Sequence, residues 1–350
     1  MEILSEAETS VRRKKETAIA MPKLNMKTVT PNTGTIRRNR SGASQDVASA
    51  YDHVGNDYGR YADGQGLADP SGASANRFAH ADTIVWNALR STIDQLHRVG
   101  VPMLRVLDAG CGPGTWLRRI ATHARQFGFS IKASGVDISR RQLEIARKQV
   151  EKLEAREDIT FLVHDLAGPL PWADGCFHIV LCNYVVLNHL PRVALPRVVK
   201  ELCRVTSHRV IATVRALGSP PTGCIIGTEQ VREYHQDCGR GKLRLVLNDG
   251  TKHRLTLNLY SAETIKAVFA EHAQIGDLRA IDLFASRFAP DADWTGALVN
   301  TLPGRDEVLR KLTEMEEPLC REPGWIDHGT HILIVAQPKR LSASKALLTP

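Results

Sequence analysis

The chain has 350 residues, 43% of them hydrophobic and 24% charged, with a formal net charge of +8. That length buries one sizeable α/β core with additions, and no apolar run approaches the eighteen or so residues a membrane span needs, so a soluble protein is expected. Seven cysteines, an odd number with no CxxC pair, read as the reduced thiols of a cytoplasmic protein and not as a disulfide framework.

Residues 1–46 read as a disordered basic tail: the first 45 hold nine Lys or Arg against four Glu and few large apolar side chains. Arg12-Arg13-Lys14-Lys15 is read there as a solvated run, with an address signal or a nucleic-acid contact as the alternative. Residues 47–104 form a helical lead-in. Its spacing puts Tyr51, Tyr58 and Tyr61 on nearly one helical face. Gly64 to Ala75 is expected to be a flexible joint, and a helix from Ala81 to Arg98 then buries Ile84, Ala88, Ile93 and Leu96.

The segment Val106 to Gly114 is an apolar run and an acidic residue, Asp108, in front of Gly110, Gly112 and Gly114, with a helix over Trp116–Arg125 behind it. Without a Cβ the backbone turns sharply and lets a ligand approach closely. A dinucleotide fingerprint would want its third glycine at Thr115; here it comes one residue early, at Gly114. A bound nucleoside is the expectation.

Later segments agree with it. Ile131–Val136 reads as a strand ending at Asp137-Ile138, where a carboxylate accepts both ribose hydroxyls, and Ser139 caps a helix with Leu143, Ala146 and Val150 on one face. Ile159–Val163 is followed by Asp165-Leu166, suited to an adenine amino group and ring. Phe177–Leu181 ends at Cys182-Asn183-Tyr184, facing the reacting end of a ligand. Cys111 and Cys182 read as small apolar residues with no nucleophilic role.

Helix Val193–Arg204 and strand Val210–Val214 come next. The segment 215–260 then breaks the alternation with Pro220-Pro221, a polar stretch around Tyr234-His235, and a hairpin with arms at 243–247 and 254–259 joined through Asp249-Gly250. It reads as a lid or substrate wall. Helix Ala262–Ala270, a strand near Leu278–Leu283, a helical stretch over Arg305–Glu316 and a strand at Ile332–Val335 complete the pattern, with 339–350 as a C-terminal tail that frays from Ser342.

Taken in order, Asp108-Ala-Gly-Cys-Gly-Pro-Gly114, Gly135-Val-Asp137, Asp165-Leu166, Leu170-Pro-Trp-Ala-Asp174 and Tyr184-Val-Val-Leu-Asn-His-Leu190 resemble the class I S-adenosylmethionine-dependent methyltransferases. Within them the chain is most similar to the small-molecule, type 11/25-like group with a tyrosine-rich lead-in, over roughly residues 48–338. The resemblance implies a Rossmann-like, doubly wound α/β fold. Its seven-stranded sheet has the order 3-2-1-4-5-7-6 with the last strand antiparallel, here a domain over 105–338 carrying the helical lead-in and the β-hairpin insertion. The cofactor it implies is S-adenosylmethionine, held at the glycine loop by Asp108, Gly110, Cys111, Gly112 and Gly114. Asp137, Ile138, Asp165, Leu166 and Asn183 are implied at the later strand ends, with Tyr51 and Tyr58 closing the site. One departure is His178, where the family has aspartate; it reads as structural support.

The implied activity is in-line transfer of a methyl group to an O or N nucleophile of a small molecule. His189 is the first candidate for a general base and His235 the second. No HExxH motif, His/Cys cluster or calcium loop is present in the sequence, and no metal is expected. Two alternatives stay open. An RNA or protein methyltransferase is favoured by the basic tail, though Asn183-Tyr-Val-Val lacks the two prolines and aromatic of exocyclic-amine enzymes. The other is a non-catalytic S-adenosylmethionine-binding regulator.

Overall fold

Strand β4, Phe177–Cys182, is buried at every position, which requires that both faces of its sheet be covered. Its alternate residues supply two separate cores. Val180 and Cys182 pack with Val198, Leu202, Ile265 and Phe269 on one side, and Ile179 and Leu181 pack with Leu89, Ile93, Leu117 and Ile120 on the other. The structure, a computed structural model, describes residues 42–63, 79–153, 158–227, 230–284 and 305–339. The expected basic tail, the Gly64–Ala75 joint and the fraying C-terminal segment lie outside these residues, apart from 42–46 and Lys339.

Strands β1 (Met103–Ala109), β2 (Ser130–Asp137), β3 (Asp158–Val163), β4, β5 (Thr206–Arg215), β9 (Ala273–Ile281) and β10 (His331–Pro338) form one sheet in the order β3-β2-β1-β4-β5-β10-β9. The first five are parallel, and β10 runs antiparallel to both β5 and β9. This is the expected 3-2-1-4-5-7-6 order once the strands of the insertion are counted separately. Helices α2 (Ala79–Arg98), α3 (Thr115–Gln126) and α4 (Arg140–Val150) lie on one face; α5 (Leu195–Val205) and α6 (Ala262–Ala270) lie on the other. Two helices, α7 (Arg305–Leu319) and α8 (Pro323–Ile326), precede the last strand.

The insertion is larger than a hairpin. Strands β7 (Lys242–Leu247) and β8 (Lys252–Thr256) pair antiparallel as expected, and β6 (Val231–Asp237), read in the sequence only as a polar stretch, adds a third strand on the far side of β7. Its inward side, Leu243, Leu245, Leu247, Leu255 and Leu257, packs on Val47, Ala50, Tyr51 and Val54 of helix α1 (Gly42–Asp63). Lead-in and insertion therefore share one core above the sheet.

Helix α1 is kinked at Gly55, whose φ of 45° and ψ of −114° leave the helical region. The kink is held by α4: Gln142 Nε2 donates to the carbonyls of Tyr51 (3.2 Å) and Gly55 (2.9 Å). Ser139 caps α4 as expected, its Oγ accepting from Gln142 N at 3.0 Å, and the same hydroxyl donates to Asp52 of α1 at 2.6 Å.

Candidate active site

The carboxyl ends of β1, β2, β4 and β5 open into one cavity that α1 and the insertion roof over, the place where open parallel sheets bind ligands. Gly110, Gly112 and Gly114 all take positive φ, at 86°, 50° and 79°. At Gly110 the requirement is double, because a Cβ there would also stand 2.4 Å from Val186 Cγ2. The loop is fastened to β2: Gly112 N donates to Asp137 Oδ2 at 2.9 Å and Ser139 N to Oδ1 at 2.8 Å. With three backbone donors, Gly112, Ser139 and Ile138, on its four acceptor positions, Asp137 keeps capacity for a ligand hydroxyl.

Burial raises Asp137 above the ordinary carboxylate range, against the pull of those backbone donors. Asp108, fully buried under the loop, is pushed up to about 7, chiefly by burial and then by the charge of Asp137. Its Oδ2 has no hydrogen-bond partner. Burial also pushes the Cys111 thiol well above its ordinary value, which keeps it uncharged, as expected of an apolar loop residue. Cys182 is buried behind the cavity and does not line it.

Of the residues singled out in the sequence, Tyr51, Tyr58, Asp108, Gly110, Cys111 and Gly112 line this cavity. Asp137, Ile138, Asp165, Leu166, Asn183 and His189 line it too. Gly114 does not; it sits one step behind as the N-cap of α3. The side chain of Tyr61 lies outside the described residues. Asp165 Oδ1 accepts from Ala167 N at 2.9 Å, which fixes the turn presenting Leu166. His178 is not in the cavity; its Nδ1 accepts from Arg105 N at 3.1 Å and so ties β4 to β1.

His189 is engaged at both ring nitrogens. A carbonyl can only accept, so Nδ1–H donates to Thr256 O at 2.6 Å and Nε2 receives the Tyr51 hydroxyl at 3.1 Å. Burial, with Arg215 nearby, lowers it to about 4, so the ring is neutral near pH 7. Tyr51 in turn meets Tyr58 edge to face, with ring centroids 5.0 Å apart.

Two cavity residues, Arg215 and Asp82, went unread in the sequence, and Tyr184 was read there only as part of the β4 strand end. Tyr184 carries a φ of 61°, and its N–H donates to Thr213 Oγ1. Arg215, at the end of β5, is buried and donates to the Pro220 carbonyl. Asp82, in the first turn of α2, is 2% exposed. No motif announces Arg215 or Asp82; their only signal was position, at a strand end or beside a buried helical stripe. Asn188 and Asn258 tie the turn after β4 to the end of the insertion. Asn188 Nδ2 donates to Asn258 O at 2.5 Å and its Oδ1 accepts from Arg215 N at 3.0 Å, while Asn258 Nδ2 donates to Leu190 O at 2.7 Å.

The site fits an adenosyl sulfonium. Its loop excludes a Cβ, the carboxylate at the end of β2 keeps acceptor capacity, and a buried carboxylate oxygen at the end of β1 awaits a donor. Among the described residues no cluster of His, Cys, Asp or Glu is placed to hold a metal ion, and no helix is long and apolar enough to cross a membrane.

Comparisons with known proteins agree. Residues 106–209 match a methyltransferase domain family. Among curated proteins, the methyltransferase GfsG of Streptomyces halstedii is 35% identical over 104 residues, 29% of this chain and 33% of that protein. An O-methyltransferase of Pyrenophora dematioidea is 28% identical over 158 residues, 45% of this chain and 50% of that protein. The chain thus matches a third to a half of the length of these relatives. A solved geranyl diphosphate methyltransferase, in complex with GPP and sinefungin, superposes with a TM-score of 0.50 at 16% identity, over 85% of this chain and 99% of that one. This last similarity concerns the fold.

Proposed function

From a chain whose residues 106–209 match a methyltransferase domain family, we propose that the protein is a class I S-adenosylmethionine-dependent methyltransferase that transfers the methyl group to an oxygen or nitrogen nucleophile of a small molecule. One observation carries the small-molecule part: lead-in and insertion share a core and roof the cavity, so the acceptor is enclosed. The cofactor supplies a methyl group already activated by its sulfonium. What the protein adds is in-line placement and removal of water.

Asp137 is assigned to the ribose hydroxyls, Asp165 and Leu166 to the adenine, and Asp108 and Asn183 to the amino-acid end. Tyr51 and Tyr58 cover the cofactor. His189, with both nitrogens engaged, acts on this reading by holding Tyr51 in place. We propose the segment boundaries 47–104 and 105–338 as lead-in and catalytic domain. All seven cysteines are free, which supports a cytoplasmic location.

A second reading, an RNA or protein acceptor, is favoured by the outer face of the insertion. There His235, Arg244 and Arg254 are exposed in register across three strands. Incubation with methyl-labelled S-adenosylmethionine and separately fractionated metabolites, nucleic acids and proteins distinguishes the two. Label in the metabolite fraction is expected; label confined to a macromolecular fraction refutes the small-molecule proposal.

A further inference from the structure

Asp82 is the one cavity carboxylate with neither oxygen engaged: both have no hydrogen-bond partner, although the residue is 2% exposed. A buried, unpaired carboxylate destabilises a fold, so its place in a ligand cavity calls for a ligand that donates to it. The cation acting on it is Arg119, which is taken up by aromatic rings, its guanidinium carbon 4.0 Å from the Trp86 ring centroid and 5.6 Å from that of Trp116.

Its position in the fold says which part of a ligand it meets. The adenosyl contacts lie over β2 and β3, at Asp137 and Asp165, and the glycine loop follows β1. Asp82 lies on the opposite side. Helix α2 packs toward β5, and Trp116, beside Arg119, sits 6.4 Å from the ring of Tyr184, the residue that follows Asn183 after β4. Asp82 thus shares the β4–β5–β10 half of the cavity with Tyr184, Arg215 and His331.

The geometry points to Asp82 as the carboxylate that receives the methyl acceptor at the point of transfer, and therefore to a protic acceptor, a hydroxyl or an amine. This rests on the methyltransferase reading above. In the transfer the acceptor heteroatom forms its bond to the methyl carbon as the sulfur–methyl bond breaks. The bonding pair stays on sulfur as a neutral thioether, and the acceptor's proton passes to Asp82 in its ionised form, which burial confines to pH values near and above about 8. His189 is not free for that task, because Tyr51 already donates to its one lone pair.

Two nucleosides separate the ends of the site. Sinefungin carries an amine-bearing carbon where S-adenosylmethionine carries its methyl-bearing sulfur; S-adenosylhomocysteine carries the bare sulfur. The test is calorimetric titration, at pH 9 where Asp82 is ionised, of the full-length protein and its Asp82→Asn variant with each. The unmodified protein is expected to bind sinefungin about ten-fold or more tightly than S-adenosylhomocysteine, as an amine donating to a carboxylate should give. In the variant that preference should fall to about two-fold or less, with S-adenosylhomocysteine affinity held within about three-fold. Three results overturn the assignment: no preference in the unmodified protein, a preference that survives in the variant, or an equal loss for both ligands, which would place Asp82 at the cofactor's amino-acid end. Binding of neither ligand by the unmodified protein overturns the proposed function itself.

Discussion

Gly110 shows how narrowly one residue can be specified. Alanine there must hold a φ of 86° with its Cβ 2.4 Å from a valine methyl, a conformation that alone costs about 1–2 kcal/mol. Gly110→Ala is expected to lower S-adenosylhomocysteine affinity by at least about ten-fold, read by calorimetry. The glycine loop and Asp137 were legible because backbone geometry and ribose chemistry each demand a residue type at a fixed place. Asp82 and Arg215 were not, because any buried polar residue on a helix or strand end looks the same until the strands that share a cavity are known. His189 was found, but its role was not: whether its nitrogens are free depends on Tyr51 and Thr256, which lie far away in the chain.

Among elements, the sheet strands were legible from their apolar runs and α4 from its serine cap. Strand β6 escaped because only Val231 and Tyr234 of its seven residues are large and apolar, too few to mark a half-buried strand. The kink in α1 escaped because its cause lies in another helix. Gln142 is fully buried and takes two carbonyls of α1. Gln142→Leu removes both of these hydrogen bonds and should cost about 1–3 kcal/mol in chemical denaturation. It should also weaken S-adenosylhomocysteine binding, because the strand of contacts from Gln142 through Tyr51 to the cavity is broken. If affinity holds while stability drops, α1 does not close the site.

For the molecule as a whole, buried ionisable groups set two opposing pH dependences. His189 and His178 are both lowered to about 4 from 6.5, so the unfolded chain binds their protons first. They make stability rise with pH between about 4 and 6.5. Asp82, raised to about 8, and Asp108, raised to about 7, both from 3.8, act the other way. The native state keeps their protons longer, and stability falls as pH rises through that interval, with Asp82 alone of the four still acting between pH 7 and 8. On these four groups the two effects cancel between about pH 4 and 6.5, so urea unfolding across pH 4–9 should show a plateau there and a loss of stability from about pH 6.5 to 8. Asp82→Asn should flatten the alkaline limb and be the more stable protein at pH 9, by on the order of a few kcal/mol. His189→Gln should turn the plateau into a decline as pH rises from about 4 to 6.5. An alkaline limb unchanged in Asp82→Asn would mean that its carboxylate is ionised throughout.

Asn188 and Asn258 carry a lesson for redesign. Asn258 stands where the inserted three-stranded sheet returns to the scaffold, and Asn188 stands in the turn that also bears His189. Gly241 completes the joint, since any side chain there would meet the Asn258 amide at 2.0 Å. Transplanting another protein's insertion into this framework would therefore succeed only as an exchange of three discontinuous pieces, 187–192, Gly241 and Asn258, together with the sheet they anchor. A cassette cut at the obvious loop ends would arrive without its hinges.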